Sequence, residues 1–186
     1  MSDEPGSRRY QIPVSREGGD WARSLPEAAD LAVRAVVATL TSAAEGPQAL
    51  EGAEVSILLA DDAALRRLNR DYRGQDRATN VLAFPNMPPG SRPPPGTALV
   101  LGDLALAWET LRREAADQGK PLADHFTHLV VHGTLHLLGH DHEAEAEARI
   151  MEDLERGILG RLGLPDPYQV VEDNRPPSER EAIDVR

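Results

Sequence analysis

The sequence predicts an α+β fold, a small mixed β-sheet packed with about five helices. Three observations carry this reading. Val55, Ile57 and Leu59 recur at every second position, the period of a half-buried strand. Leu31, Val33, Val36, Val37 and Leu40 recur at helical spacing. From residue 108 onward the chain reads as three helical stretches in succession, so strands and helices are partly segregated.

Taken in order, the first 23 residues offer one candidate strand, Tyr10–Val14. Ser24-Leu-Pro-Glu27 reads as a capping box, with Ser24 as N-cap and Glu27 three residues on, opening a first helix that runs to about Thr41. Gly46-Pro47 marks a loop, and Ala53–Leu59 a strand. Asp61-Asp62 can cap a second helix through Leu65 and Leu68 to about Tyr72. Asn80–Phe84 is a short apolar strand. Pro85–Gly96 holds six prolines and two glycines, which dictates an irregular loop. Ala98–Leu106 is a further strand, interrupted at Gly102-Asp103. With no structured crossover between the last two strands, they are expected to pair antiparallel. Helices follow at about Trp108–Gln118, Ala123–Leu138 and Glu143–Leu162. Pro165-Asp-Pro167 ends the last of them. Residues 1–164 are thus expected to form a single domain and residues 165–186 a polar, flexible tail.

Composition narrows the chemistry. There is no cysteine, so any metal must be held by nitrogen and oxygen ligands. No apolar run approaches the ~20 residues needed to cross a bilayer. The N-terminus is acidic and lacks the basic start and apolar stretch of a secretory signal, so a cytoplasmic protein is the simplest expectation. The net charge of −11 weighs against tight binding of nucleic acid, which normally draws on clustered Lys and Arg; the one lysine is Lys120. About half of that negative charge lies from Glu143 onward. Arg66, Arg67, Arg70, Arg73 and Arg77 form the densest basic patch, a pattern that is more often the solvated face of a helix than a binding surface.

All six histidines lie between residues 125 and 142. On a helix, His132 and His136 sit one turn apart, about 6 Å along the axis at ~1.5 Å per residue, so both rings project from one face. Gly139 falls where a left-handed residue would end the helix, and past that turn the chain can fold back to bring His142 to the same ion. A metal site at the end of the central helix is the expectation, with zinc the first candidate. Three imidazoles leave a fourth position open to water, as in catalytic zinc sites. A histidine pair at i and i+4 alone is more often surface or core than ligand; the third histidine and the glycine reverse that judgement. His140 competes with His142 as third ligand, and His142 is the better candidate. His128 reads as a core or supporting residue and His125 as a surface one.

The spacing also occurs in metzincin peptidases, as HExxHxxGxxH, where the glutamate after the first histidine is the general base. Here Gly133 stands at that position, which disfavours peptide hydrolysis by that route. The segment His132–His142, HGTLHLLGHDH, instead resembles the H-G-x-L-H-L-x-G-Y-D-H signature of the YbeY family of bacterial rRNA maturation factors, with His140 in place of the tyrosine. Residues 68–85, LNRDYRGQDRATNVLAFP, resemble that family's LNxxYRxxDxxTNVLSFP, and Leu101-Gly102-Asp103 its LGD strand. The last helix, with Met151-Glu152 and Glu155, fits as well; the resemblance covers roughly residues 50–163.

That resemblance implies a single-strand-specific, metal-dependent endoribonuclease acting in 16S rRNA 3′-end maturation and ribosome quality control. It implies one zinc ion on His132, His136 and His142, with His132 and Arg73 needed for activity. Its implied partners are single-stranded RNA, ribosomal RNA, the small ribosomal subunit and a ribosomal protein, for which Asp103 is a candidate contact; neither DNA nor a membrane is implied. Chemically, Arg73 can fork onto a phosphate and stabilise the charge of the transition state. Asn80 has two readings of equal weight, orienting Arg73 or its loop, and capping the start of a strand. A zinc hydrolase of another class and a non-catalytic ribosome assembly factor are the alternatives.

Overall fold

In the computed structural model, residues 10–43, 50–88, 91, 94, 97–142 and 144–169 are described. The chain opens with β1 (Val14–Glu17) and a single helical turn, α1 (Trp21–Ser24). Next come α2 (Ala28–Ala43), β2 (Glu54–Ala60) and α3 (Asp62–Arg73). They are followed by β3 (Val81–Pro85), β4 (Val100–Ala107), α4 (Trp108–Asp117), α5 (Leu122–Leu137) and α6 (Glu145–Arg161). The sheet order is β1-β2-β4-β3, with β1 and β4 parallel to β2 and β3 antiparallel to β4. The expected α+β fold with a mixed sheet is therefore the observed one.

Alternation along β4 distributes the two faces. Leu104 and Leu106 join the main core with Val55, Ile57 and Leu59 of β2, under α2 and α5. Ala105 and Ala107 point the other way, where small side chains let α3 lie close through Ala64 and Leu65. The helix carrying most of the histidines and the helix carrying Arg73 thus lie on opposite faces of one sheet. Trp21 anchors the first turn: its indole donates to the Ala60 carbonyl at 3.0 Å and packs edge-on against Trp108 and Phe126.

Several expectations shift. Strand pairing begins later than Tyr10–Val14, with only a bridge from Gln11 to Glu54 among the described residues before β1. Ser24 does not cap the long helix. Burial of Trp21 draws Ser24 into the turn before it, where its hydroxyl donates to Asp20 at 3.0 Å, and α2 begins only after Pro26. Gly102-Asp103 does not interrupt β4. The partner of Glu54 is Val100 and that of Val55 is Gly102, so Leu101 is a one-residue bulge and pairing runs through. Asp61 does cap α3, accepting from the Ala64 amide at 2.8 Å. Asp62 instead caps α4, accepting from the Thr110 amide and hydroxyl at 2.9 Å each, while Glu109 accepts from the Asp62 amide at 2.8 Å. This reciprocal pair fixes the start of α3 to the start of α4. The chain also remains packed beyond residue 164: the Lys120 ammonium donates to the Pro167 carbonyl at 2.8 Å. The remainder of the expected tail, residues 170–186, lies outside the described residues, as does part of the Pro85–Gly96 loop.

Candidate metal centre and its cleft

α5 delivers His132 and His136 from one face, and its C-terminus makes the turn the sequence requires. Gly139 has φ +91°, its amide donates to the His136 carbonyl at 3.0 Å, and the His140 amide donates to the Leu135 carbonyl at 3.1 Å. The chain reverses there and returns His142 beside the helix. Ring centroids of the three histidines lie 4.6, 5.0 and 5.5 Å apart, and one nitrogen from each falls within 4.8 Å of the others. His142, not His140, completes this group; His140 lines the adjoining cleft.

The trio fits a transition metal on its own hydrogen bonding. His132 Nδ1 lies 2.7 Å from Glu155 Oε1. An ionised carboxylate only accepts, so Nδ1 is the donor, the tautomer that leaves Nε2 as the ligating nitrogen of a neutral ring. That Nε2 faces His136 Nε2 at 3.1 Å, two ring nitrogens converging on one point. Burial, with His132 and His142 nearby, pushes the His136 pKa down to about 4, which keeps this ring neutral at physiological pH as a ligand must be. An all-imidazole set suits zinc and its neighbours in the first transition row.

Behind the trio stands a carboxylate that sequence reasoning did not single out as part of the site. Glu155 is fully buried, yet it lies on the same stripe of α6 as Met151, Ile158 and Leu159. A carboxylate in register with an apolar stripe was the available signal. Burial pushes its pKa up, but hydrogen bonds from His128, His132 and Tyr168 outweigh that and hold it down to about 2. His128 Nε2 lies 2.9 Å from Glu155 Oε2, so His128 supports the centre rather than joining it. His125 is not a surface residue. Only 4% exposed, it pairs with Glu114 of α4 at 3.0 Å, and that partner on a neighbouring helix is what permits its burial.

Next to the trio opens a cleft of about 490 Å³, lined by Arg73, His136, His140, Asp141 and His142, with Val81, Ala83 and Pro85 of β3 as one wall. Arg73, the last residue of α3, comes from the opposite layer and reaches the cleft around the free edge of β3. It also lines a larger groove of about 860 Å³ on the α3 face, together with Tyr72, Phe84 and Asp103. Asp103 is exposed there and does not line the metal cleft. Asn80 lines neither: its amide nitrogen donates to Glu114 at 2.9 Å and its oxygen accepts from the Val81 amide at 2.7 Å. Gly133 lines the cleft where α5 meets the sheet: a Cβ there would meet Leu104 Cδ2 at 2.8 Å and Val81 Cγ2 at 3.3 Å, and the glycine itself offers no group that could act as a general base.

The family model described as endoribonuclease YbeY matches residues 22–163. This chain belongs to the YbeY endoribonuclease family. Among curated relatives, the endoribonuclease YbeY of Chelativorans sp. strain BNC1 is 47% identical over 168 residues, spanning 90% of this chain and 99% of that one. That of Rhodopseudomonas palustris strain CGA009 is 56% identical over 117 residues, 63% of this chain and 61% of that one, so the chain spans under two thirds of that relative. A solution structure of a Thermotoga maritima protein superposes with a TM-score of 0.48 at 20% identity, over 86% of this chain and 99% of that one. Among the described residues no helix is long and apolar enough to cross a membrane.

Proposed function

We propose that the chain is a metal-dependent endoribonuclease that cuts single-stranded RNA and acts in 16S rRNA 3′-end maturation and ribosome quality control. Family membership supports the reaction class. The observation that carries the mechanistic reading is that Arg73 lines the same cleft as His136 and His142. In this reading His132, His136 and His142 hold one ion, zinc first. When bound, such an ion supplies Lewis acidity, acidifying water and polarising a phosphoryl oxygen. The guanidinium of Arg73 binds the scissile phosphate and offsets the charge it gains in the transition state. Asn80 acts at one remove, pinning the start of β3 and so the cleft wall. Asp103, on the groove face, is offered to a ribosomal protein.

The net charge of −11 belongs in this proposal too. Few phosphate contacts are available, so the protein depends on the small ribosomal subunit for delivery to its substrate in the cytoplasm. Cleavage of single-stranded and duplex RNA of one sequence, with elemental analysis of the same preparation, tests the proposal. Expected are one equivalent of metal and cutting of the single strand only. Wild-type rates from Arg73→Ala and His132→Ala would sink it.

A further inference from the structure

Glu155 has a second neighbour that the reaction does not obviously require. Tyr168 lies beyond the end of α6, in the segment after Pro165-Asp-Pro167. Its hydroxyl donates to Glu155 Oε2, the oxygen that also accepts from His128 Nε2. The other oxygen, Oε1, is left to His132 Nδ1. Two donors on Oε2 fix the carboxylate plane, and a fixed plane aims Oε1 at one ring. Tyr168 is itself held: its ring packs edge-on against His128 at 5.7 Å, the Arg156 guanidinium sits over it at 5.0 Å, and Lys120 pins the adjacent Pro167 carbonyl. Burial and the Glu155 carboxylate both push the phenol pKa up, so it remains a donor throughout the physiological range.

We propose that Glu155 and Tyr168 are positioning residues for the metal centre, the carboxylate fixing the tautomer and direction of His132 and the tyrosine of the C-terminal segment fixing the carboxylate. The chemistry is general. A ligating imidazole whose far N–H is held by a carboxylate is oriented and more basic, and losing that partner typically costs 10–100-fold in metal affinity. What is particular here is that the clamp reaches past the last helix, so the segment that carries Pro167 and Tyr168 belongs to the centre. The inference rests on the reading that His132, His136 and His142 hold an ion.

The test titrates Co²⁺ into metal-free full-length protein, following visible absorption for wild type, Glu155→Gln and Tyr168→Phe. Expected is one Co²⁺ per wild-type chain, ~10–100-fold weaker binding with altered bands in Glu155→Gln, and several-fold weaker binding in Tyr168→Phe. Because a changed buried carboxylate can impair folding, near-ultraviolet circular dichroism accompanies each titration. If Glu155→Gln loses its tertiary signal, Tyr168→Phe decides alone, since it removes one hydroxyl from a partly exposed ring. Wild-type affinity and spectrum in every folded variant would overturn the positioning role while leaving the metal site intact. A wild-type chain that takes up no Co²⁺ would overturn both.

Discussion

Arg73 Nη2 donates to the Ala83 carbonyl at 2.9 Å, tying the last residue of α3 to the middle of β3. The same guanidinium lies 5.9 Å from the centre of the Phe84 ring. The arginine is thus held by one arm at the mouth of the cleft. Arg73→Ala is expected to lower the single-turnover rate on single-stranded RNA by ~10²–10³-fold, the usual cost of one transition-state donor. Arg73→Lys should recover little, because a point charge cannot both hold Ala83 and fork onto a phosphate. Metal content should stay at the wild-type level in both. A matching loss of metal would show that Arg73 supports the fold instead.

Removing the ion should cost stability as well as activity. A ligand that binds only the folded state at 100 times its Kd adds about 2.7 kcal/mol, or ~5–10 °C in Tm for a chain of this size. Dialysis against a chelator is therefore expected to lower Tm by that amount, with zinc restoring it. His142→Ala, at the exposed end of the trio, should abolish most of this difference yet leave the metal-free Tm near wild type. Equal Tm values with and without chelator would count against the site.

Acid should destabilise the metal-free protein in two stages. The His136 pKa is depressed to about 4 from the ordinary 6.5, so between those values the unfolded chain binds more protons and stability falls as pH falls. Glu155, held down to about 2, contributes its full stabilisation above its ordinary 4.5 and loses it as pH drops toward 2. Urea midpoints at pH 7.5, 5 and 3 should decrease in that order. A midpoint unchanged from pH 7.5 to 4 would show that the His136 depression is not real, and one unchanged from pH 4.5 to 2 would show the same of Glu155.

Gly133 offers a sharp test of what its position can hold. Gly133→Glu restores the metzincin-like pattern on paper, but its Cβ would press on Leu104 and Val81 at the edge of the cleft. Overpacking should cost ~1–3 kcal/mol, a fall in Tm of ~2–12 °C, and shift the cleft wall, so no peptidase activity is expected. Chelator-sensitive peptidase activity in this variant would refute the argument.

Binding of free RNA should be weak and only mildly salt-dependent. Arg66 is bidentate with Asp76 at 2.7 and 2.9 Å, Arg70 pairs with Asp71 and Arg67 with Glu17, so much of the basic patch is already matched by acids. A slope of log K against log[salt] shallower than about −3 is expected, corresponding to few released counterions. A steep slope on naked RNA would remove the need for delivery by the ribosome.

What the sequence disclosed was local. The Asp61 cap, the Gly139 turn and the histidine spacing each depend on residues within one or two helical turns, and each is where periodicity put it. The antiparallel pairing of β3 with β4 followed from the lack of a crossover. Contacts between distant stretches were hidden. Glu155 meets His132 across 23 positions and His128 across 27, while Glu114 meets Asn80 across 34. Glu155 was not singled out from the sequence, and its place on an apolar stripe could not have named what it faces. Ser24 misled for another reason: its capping pattern was sound, and a tryptophan three residues earlier drew it into a different turn.

The two sheet faces give the nuclease a division of labour. The three histidines proposed to hold the ion lie along one helix and its reversal, whereas the arginine arrives from the other layer and meets them only at the rim of β3. A chain disabled at the arginine should still load metal and keep its shape. Such a protein would serve as a trap, arrested on uncut RNA, from which the substrate can be recovered and sequenced.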